Sequence, residues 1–97
     1  MADAANDIII SITVLYFASA QTAVGVQRER VELPGADFPL SNLAAVLTKR
    51  HPVRGLEEVL RASQWSVDEE MVSPEAVQDT KLKGGECVAV IPPVSGG

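Results

Sequence analysis

An α+β fold, with a mixed sheet crossed by one main helix, is what this 97-residue sequence predicts. Three observations carry that reading. A β-branched run, Ile8 to Phe17, has strand length and composition. Leu40, Leu43, Ala44 and Leu47 recur at helical spacing. Finally, Cys87-Val88-Ala89-Val90-Ile91 is an unbroken apolar run of the kind buried inside a sheet, and it leads into Pro92-Pro93.

The elements follow in order. Met1 to Asp7 is small and polar and is predicted to be disordered, which sets residues 1–7 apart from a domain over 8–91 and a tail over 92–97. Strand alternation places Ile8, Ile10, Ile12, Val14 and Tyr16 on the core face of the first strand, and Ile9, Ser11, Thr13, Leu15 and Phe17 on a more mixed face. Ala18 to Gly25 reads as a short helical turn closed by glycine, and Val26 to Leu33 as a second, antiparallel strand ended by Pro34-Gly35. Ser41 or Asn42 is the expected cap of the main helix, which must stop before Pro52. Leu56, Val59 and Leu60 mark a shorter helix. Gln64 to Val67 reads as a strand, Asp68-Glu69-Glu70 as an acidic turn, and Met71-Val72 as a brief pairing. Lys83-Gly84-Gly85 turns the chain into the last strand. Strand, strand, helix, short strands and a buried final strand is the order of a β-grasp domain, with first and last strands parallel at the centre. Periodicity alone leaves other α+β topologies open.

Composition narrows function. With 46% hydrophobic and 22% charged residues the chain can bury one modest core, and its net charge of -5 argues against nonspecific nucleic-acid binding. A basic protein partner suits it better. The single cysteine, Cys87, excludes an internal disulfide and a thiolate zinc site, which fits a reducing, cytoplasmic setting. Ile8 to Ala18, interrupted by Ser11 and Thr13, is too short for a membrane span, and no basic region precedes it.

The C-terminus is the candidate site. Pro92, Pro93, Val94, Ser95, Gly96 and Gly97 can continue neither a ladder nor a helix, so an extended strip is expected to leave the surface. At about 3 Å per residue it would carry the terminal carboxylate on the order of 15 to 20 Å from the body. Without Cβ atoms, Gly96 and Gly97 suit a channel too narrow for other residues. By itself such an end is equally well read as a frayed terminus.

Val88-Ala89-Val90-Ile91-Pro92-Pro93-Val94-Ser95-Gly96-Gly97, supported by Val14-Leu15-Tyr16-Phe17-Ala18, Gly25, His51-Pro52 and Gly85-Glu86, decides between these readings. From about Ile12 to Gly97 the sequence resembles the small, sulfur-carrier subunits of molybdopterin synthase, which are ubiquitin-like. Gln21, Asp68 and Cys87 depart from common family residues at their positions. The resemblance implies that Gly97 is adenylated with ATP by a ubiquitin-activating-type adenylyltransferase and converted to a thiocarboxylate by a persulfide sulfurtransferase. It implies sulfur donation to cyclic pyranopterin monophosphate inside a large subunit, in a heterotetramer of two small and two large chains. No cofactor or metal is implied on the isolated chain, and the main acid-base groups are expected on the larger partner. A carboxylate is a poor electrophile until it gains a leaving group, which is why activation must come first.

The remaining residues offer little chemistry of their own. His51 is expected at the surface near a helix end and Cys87 as a small hydrophobe, and together they lack the orienting third group of a nucleophile-base site. Lys83-Gly84-Gly85 lacks phosphate-loop spacing. If Val88 and Val90 face the core, Phe17, Met71, Ala89 and Ile91 form an apolar patch at the tail's exit that would suit a permanent partner. The acidic turn could steer a basic activating enzyme. Sister carriers for thiamine synthesis or tRNA thiolation, and a ubiquitin-like modifier or binding module, are the competing readings; Pro92-Pro93-Val94-Ser95 favours the synthase subunit.

Overall fold

A computed structural model describes residues 8–93. The predicted disorder of residues 1–7 and the tail residues Val94, Ser95, Gly96 and Gly97 lie outside the described residues.

Strand β1 (Ile9–Tyr16) forms where the β-branched run predicts it, and its burial alternates strictly. Ile10, Ile12, Val14 and Tyr16 are buried, whereas Ile8 is 51% exposed. Ile8 was expected on the core face; it precedes the strand, where its carbonyl accepts the Gly35 N–H at 2.6 Å. Helix α1 (Ala18–Val24) ends at Gly25, whose φ of 92° is the left-handed cap conformation that a residue without Cβ adopts freely. Strand β2 (Arg28–Pro34) returns antiparallel to β1, from Ile9 opposite Pro34 to Leu15 opposite Arg28.

A two-residue strand β3 (Phe38–Pro39) and a 3-10 turn (Leu40–Asn42) precede helix α2 (Leu43–Arg50). Asn42 stands at the cap position but makes no side-chain cap bond, and Ser41 lies inside the 3-10 turn. The expected capping is thus replaced: the Leu43 N–H bonds to the Leu40 carbonyl, so the tighter turn satisfies an otherwise orphaned donor. Helix α2 stops two residues before Pro52, and α3 (Leu56–Ala62) follows. Strands β4 (Gln64–Val67) and β5 (Glu70–Val72) form a hairpin. A second 3-10 segment (Pro74–Asp79) and the short β6 (Lys81–Leu82), paired with β3, lead to β7 (Cys87–Ile91).

The main sheet has the order β2-β1-β7-β4-β5. As the sequence order predicts, β1 and β7 lie parallel at its centre, with Val14 beside Val88 and Tyr16 beside Val90. These inward residues meet Leu43, Leu47, Leu56 and Leu60 from α2 and α3 in one core, which also takes Ala20, Leu40 and Leu82. All the helices cover the same side. Among the described residues the other side of the sheet carries no helix, and alternation turns Ser11, Thr13 and Leu15 of β1, Cys87, Ala89 and Ile91 of β7, Ser66 of β4 and Met71 of β5 toward it. That uncovered face positions the candidate site. No helix among the described residues is long and apolar enough to cross a membrane.

Candidate functional site

The site grows out of the strand that bears the tail. Because β7 pairs with neighbours on both edges, every inward position is apolar, and its outward positions open onto a hollow of about 530 Å³. Phe17, Met71, Ala89 and Ile91, the four residues expected around the tail's exit, all line it. Phe17 is 46% exposed and Met71 56% exposed, whereas Ala89 is only 6% exposed, being a small residue set between Leu15 of β1 and Ser66 of β4. Ala89 therefore forms floor rather than rim. Leu15, Ser66 and Cys87 complete the floor; the sequence reading placed none of the three there, although the alternation of β1 already turned Leu15 outward. Pro92 is still buried, and Pro93 is the first exposed residue after β7.

Two devices hold the walls. On one side, the Phe17 N–H bonds to the Val90 carbonyl at 3.2 Å, while the Phe17 carbonyl accepts the Ala20 N–H at 3.0 Å at the start of α1. The backbone then turns through Ala18 at a φ of 51°, a conformation tolerable for a small side chain. On the other side, Asp68 and Glu69 form the two-residue hairpin loop between β4 and β5, both at positive φ, as a type I′ connection requires. Asp68 exchanges two bonds with the Cys87 backbone: its N–H donates to the Cys87 carbonyl at 2.8 Å, and its Oδ1 accepts the Cys87 N–H at 2.9 Å. The expected acidic turn is real, but Asp68 is engaged in holding β7. Glu69 and Glu70 remain exposed beside the hollow.

A polar cluster lies behind the same end of β1. Glu29 accepts the Tyr16 hydroxyl at 2.5 Å and Arg50 Nε at 3.1 Å, and His51 Nε2 lies 2.6 Å from the same carboxylate. Partial burial favours its neutral form, but the bonds from Tyr16, His51 and Arg50 outweigh this and hold Glu29 below the usual carboxylate range. With the carboxylate ionised, His51 Nε2 is the donor. Burial first, and Glu29 second, push the Tyr16 phenol well above its usual value. His51 was expected as an exposed surface residue; instead it is partly buried, edge-on to the Tyr16 ring at 6.2 Å, and closes α2 against the β1–β2 hairpin. This cluster is structural. It lies on the helix side of the sheet, away from the hollow.

Nothing in the hollow forms a nucleophile-base pair. Cys87 is a free, half-buried thiol with no cationic neighbour among the residues lining the hollow. Among the described residues no three His, Cys, Asp or Glu side chains are grouped as a metal site would need. What the arrangement offers is a nonpolar recess directly beside the root of the tail.

Residues 14–97 match the ThiS family, a span that reaches from the middle of β1 through the terminal Gly-Gly pair. The chain belongs to that family. It is 45% identical over 87 residues to a molybdopterin synthase sulfur carrier subunit of Mycosarcoma maydis, a match covering 90% of this chain and 94% of the relative. A protein of the same description from Chlamydomonas reinhardtii is 37% identical, over 91% of this chain and 100% of the relative. In a protein–protein complex of subunits 1 and 2 of the molybdopterin-converting factor of Helicobacter pylori, one chain shares the fold at a TM-score of 0.61 and 23% identity. That match spans 91% of this chain and 100% of the other, and with the strand order above it shows a β-grasp fold.

Proposed function

We propose that this protein is the sulfur-carrier subunit of a molybdopterin synthase, with the Gly97 carboxylate as its reactive group. The observation that carries the reading is a junction: the apolar hollow of Phe17, Met71, Ala89 and Ile91 sits beside the root of a tail whose family match continues to the last residue. A carrier must hand its terminus to one protein for loading and to another for unloading. A nonpolar docking face next to a Gly-Gly end supplies both requirements.

In the first step a Gly97 carboxylate oxygen attacks the α-phosphorus of ATP on an adenylyltransferase, and pyrophosphate leaves. A persulfide sulfur then attacks the acyl carbon and AMP leaves. Reductive cleavage of the sulfur–sulfur bond by a thiol leaves the thiocarboxylate on Gly97. The large subunit receives the tail Pro92-Pro93-Val94-Ser95-Gly96-Gly97 in a narrow channel and supplies the acid-base groups, and sulfur passes to cyclic pyranopterin monophosphate. The names of the relatives support a synthase with further subunits; two small and two large chains, working in the cytoplasm, complete the proposal.

Intact-protein mass spectrometry tests it. After incubation with a ubiquitin-activating-type adenylyltransferase, ATP and a persulfide donor, one carboxylate oxygen of Gly97 should be replaced by sulfur. Adding the large subunit and cyclic pyranopterin monophosphate should restore the original mass. Thiocarboxylate that persists with that substrate would assign the chain to thiamine synthesis or tRNA thiolation, and absence of any modification would leave a binding module.

A further inference from the structure

Among the described residues the sheet ends on β5, whose outer side is unpaired. Glu70, Met71 and Val72 bond in register to β4 alone, and no other described backbone group bonds to them. An open strand edge is a template for another strand. Two further features distinguish this edge. The hollow described above lies on one face of β5, and a second one of about 590 Å³ flanks it on the other, with Trp65, Val72, Pro74 and Val77 as its apolar lining and Arg61 among its polar residues; Met71 lines both. Around the strand, Asp68, Glu69, Glu70 and Glu75 fall within eight positions that contain no lysine or arginine. Glu69, Glu70 and Glu75 are exposed and form no ion pair with another described residue.

We propose that the β5 edge is a docking site for an extended, basic segment of a partner protein, which adds to the sheet as a sixth strand. In an added strand alternate side chains point to opposite faces, so apolar residues would enter the open-face hollow and the Trp65 hollow in turn. Its lysines or arginines would meet the carboxylates at the strand's ends, fixing direction and speeding encounter. A second copy of this chain is disfavoured as occupant because β5 against β5 would oppose two sets of carboxylates. Charge alone would protect the edge; it does not account for an exposed methionine that lines the hollows on both of its faces. The site is independent of thiocarboxylate chemistry, so the experiment uses the full chain without activating enzyme or large subunit.

The probe is a synthetic peptide with a central run of valines, which presents apolar side chains to both faces, flanked by lysines at each end. Its control has the same sequence with backbone N-methyl groups on one edge, which keep charge and side chains but remove the ladder donors. Trp65 is the only tryptophan, so its fluorescence reports on the second hollow directly. The expected result is a saturable Trp65 change, slowed amide exchange confined to β5, and loss of binding on N-methylation. Glu70→Lys should weaken binding on the order of tenfold, with a shallower salt dependence. Equal binding of the N-methylated peptide, perturbation centred elsewhere, no binding, or self-association of the chain through β5 would each overturn the proposal.

Discussion

The Phe17 N–H donates to the Val90 carbonyl at 3.2 Å, so the end of the first strand is tied to the strand that carries the tail, one residue before Ile91. The wall of the hollow and the root of the tail therefore form one rigid unit. A partner that seats Phe17 has also fixed where the tail begins. Such pre-positioning lowers the entropic cost of threading a terminus into a channel.

Replacing Phe17 with aspartate should weaken the complex with the large subunit without unfolding the chain. The side chain is 46% exposed and outside the core, while its backbone bonds survive the substitution. Burying an unpaired charge at an apolar contact should cost about 2 kcal/mol or more of binding, roughly a thirtyfold rise in Kd. Titration calorimetry with the purified large subunit measures it, and circular dichroism checks the fold. An unfolded Phe17→Asp protein would instead assign the ring to the core.

Gly97→Ala should slow thiocarboxylation or transfer on the order of a hundredfold while leaving the melting temperature unchanged. The motivation is chemical: on the function proposed above, a methyl group on Gly97 would crowd the narrow channel that the tail has to enter. Single-turnover sulfur transfer reads the rate. Turnover at the normal rate would exclude a close-fitting channel.

Much of this arrangement was legible in the sequence because it is written in local periodicity. The alternation of Ile10, Ile12, Val14 and Tyr16 and the helical spacing of Leu43 and Leu47 survive into the core, and so do Val88 and Val90 of the apolar run Cys87 to Ile91, whose other members floor the hollow. What escaped depends on distant pairing. His51 meets Glu29 across 22 positions, so no window of sequence shows that this histidine is partly buried. The β3 and β6 strands are two residues each, too short to alternate, yet they fix the buried Leu82. Ser66 reads as a polar strand residue, and only its place between Ala89 and Met71 puts it in the hollow.

Glu29→Gln should destabilise the fold by about 1 to 3 kcal/mol at neutral pH, since charge-assisted bonds to Tyr16, His51 and Arg50 weaken together. Folding holds the Glu29 carboxyl below its ordinary range. Its stabilising effect is therefore complete above the unfolded value, 4.5, and disappears as pH falls through the folded one. Urea denaturation of both proteins between pH 7 and pH 3 should show their difference shrinking in the acid range. A difference that stays constant to pH 3 would mean that the charge on Glu29 is not what binds the cluster.

Two glycines give a ranked test of the backbone. Gly25 caps α1 at a φ of 92° with open space where a Cβ would lie, whereas a Cβ on Gly84, at a φ of 114°, would stand 3.3 Å from Ile10 Cβ. Both alanine variants carry conformational strain of about 1 kcal/mol or more. Gly84→Ala adds a contact that β1 can relieve only by shifting, because Ile10 is a core residue. It should therefore lower the thermal midpoint further than Gly25→Ala. Gly84 also lies in the turn that launches β7, with its N–H bonded to Glu86 Oε1 at 2.8 Å, so displacement there moves the start of the tail-bearing strand. Amide exchange at Val88 and Val90 should then be faster in Gly84→Ala and unchanged in Gly25→Ala. Equal melting temperatures for the two variants would show that the Ile10 contact relaxes without cost.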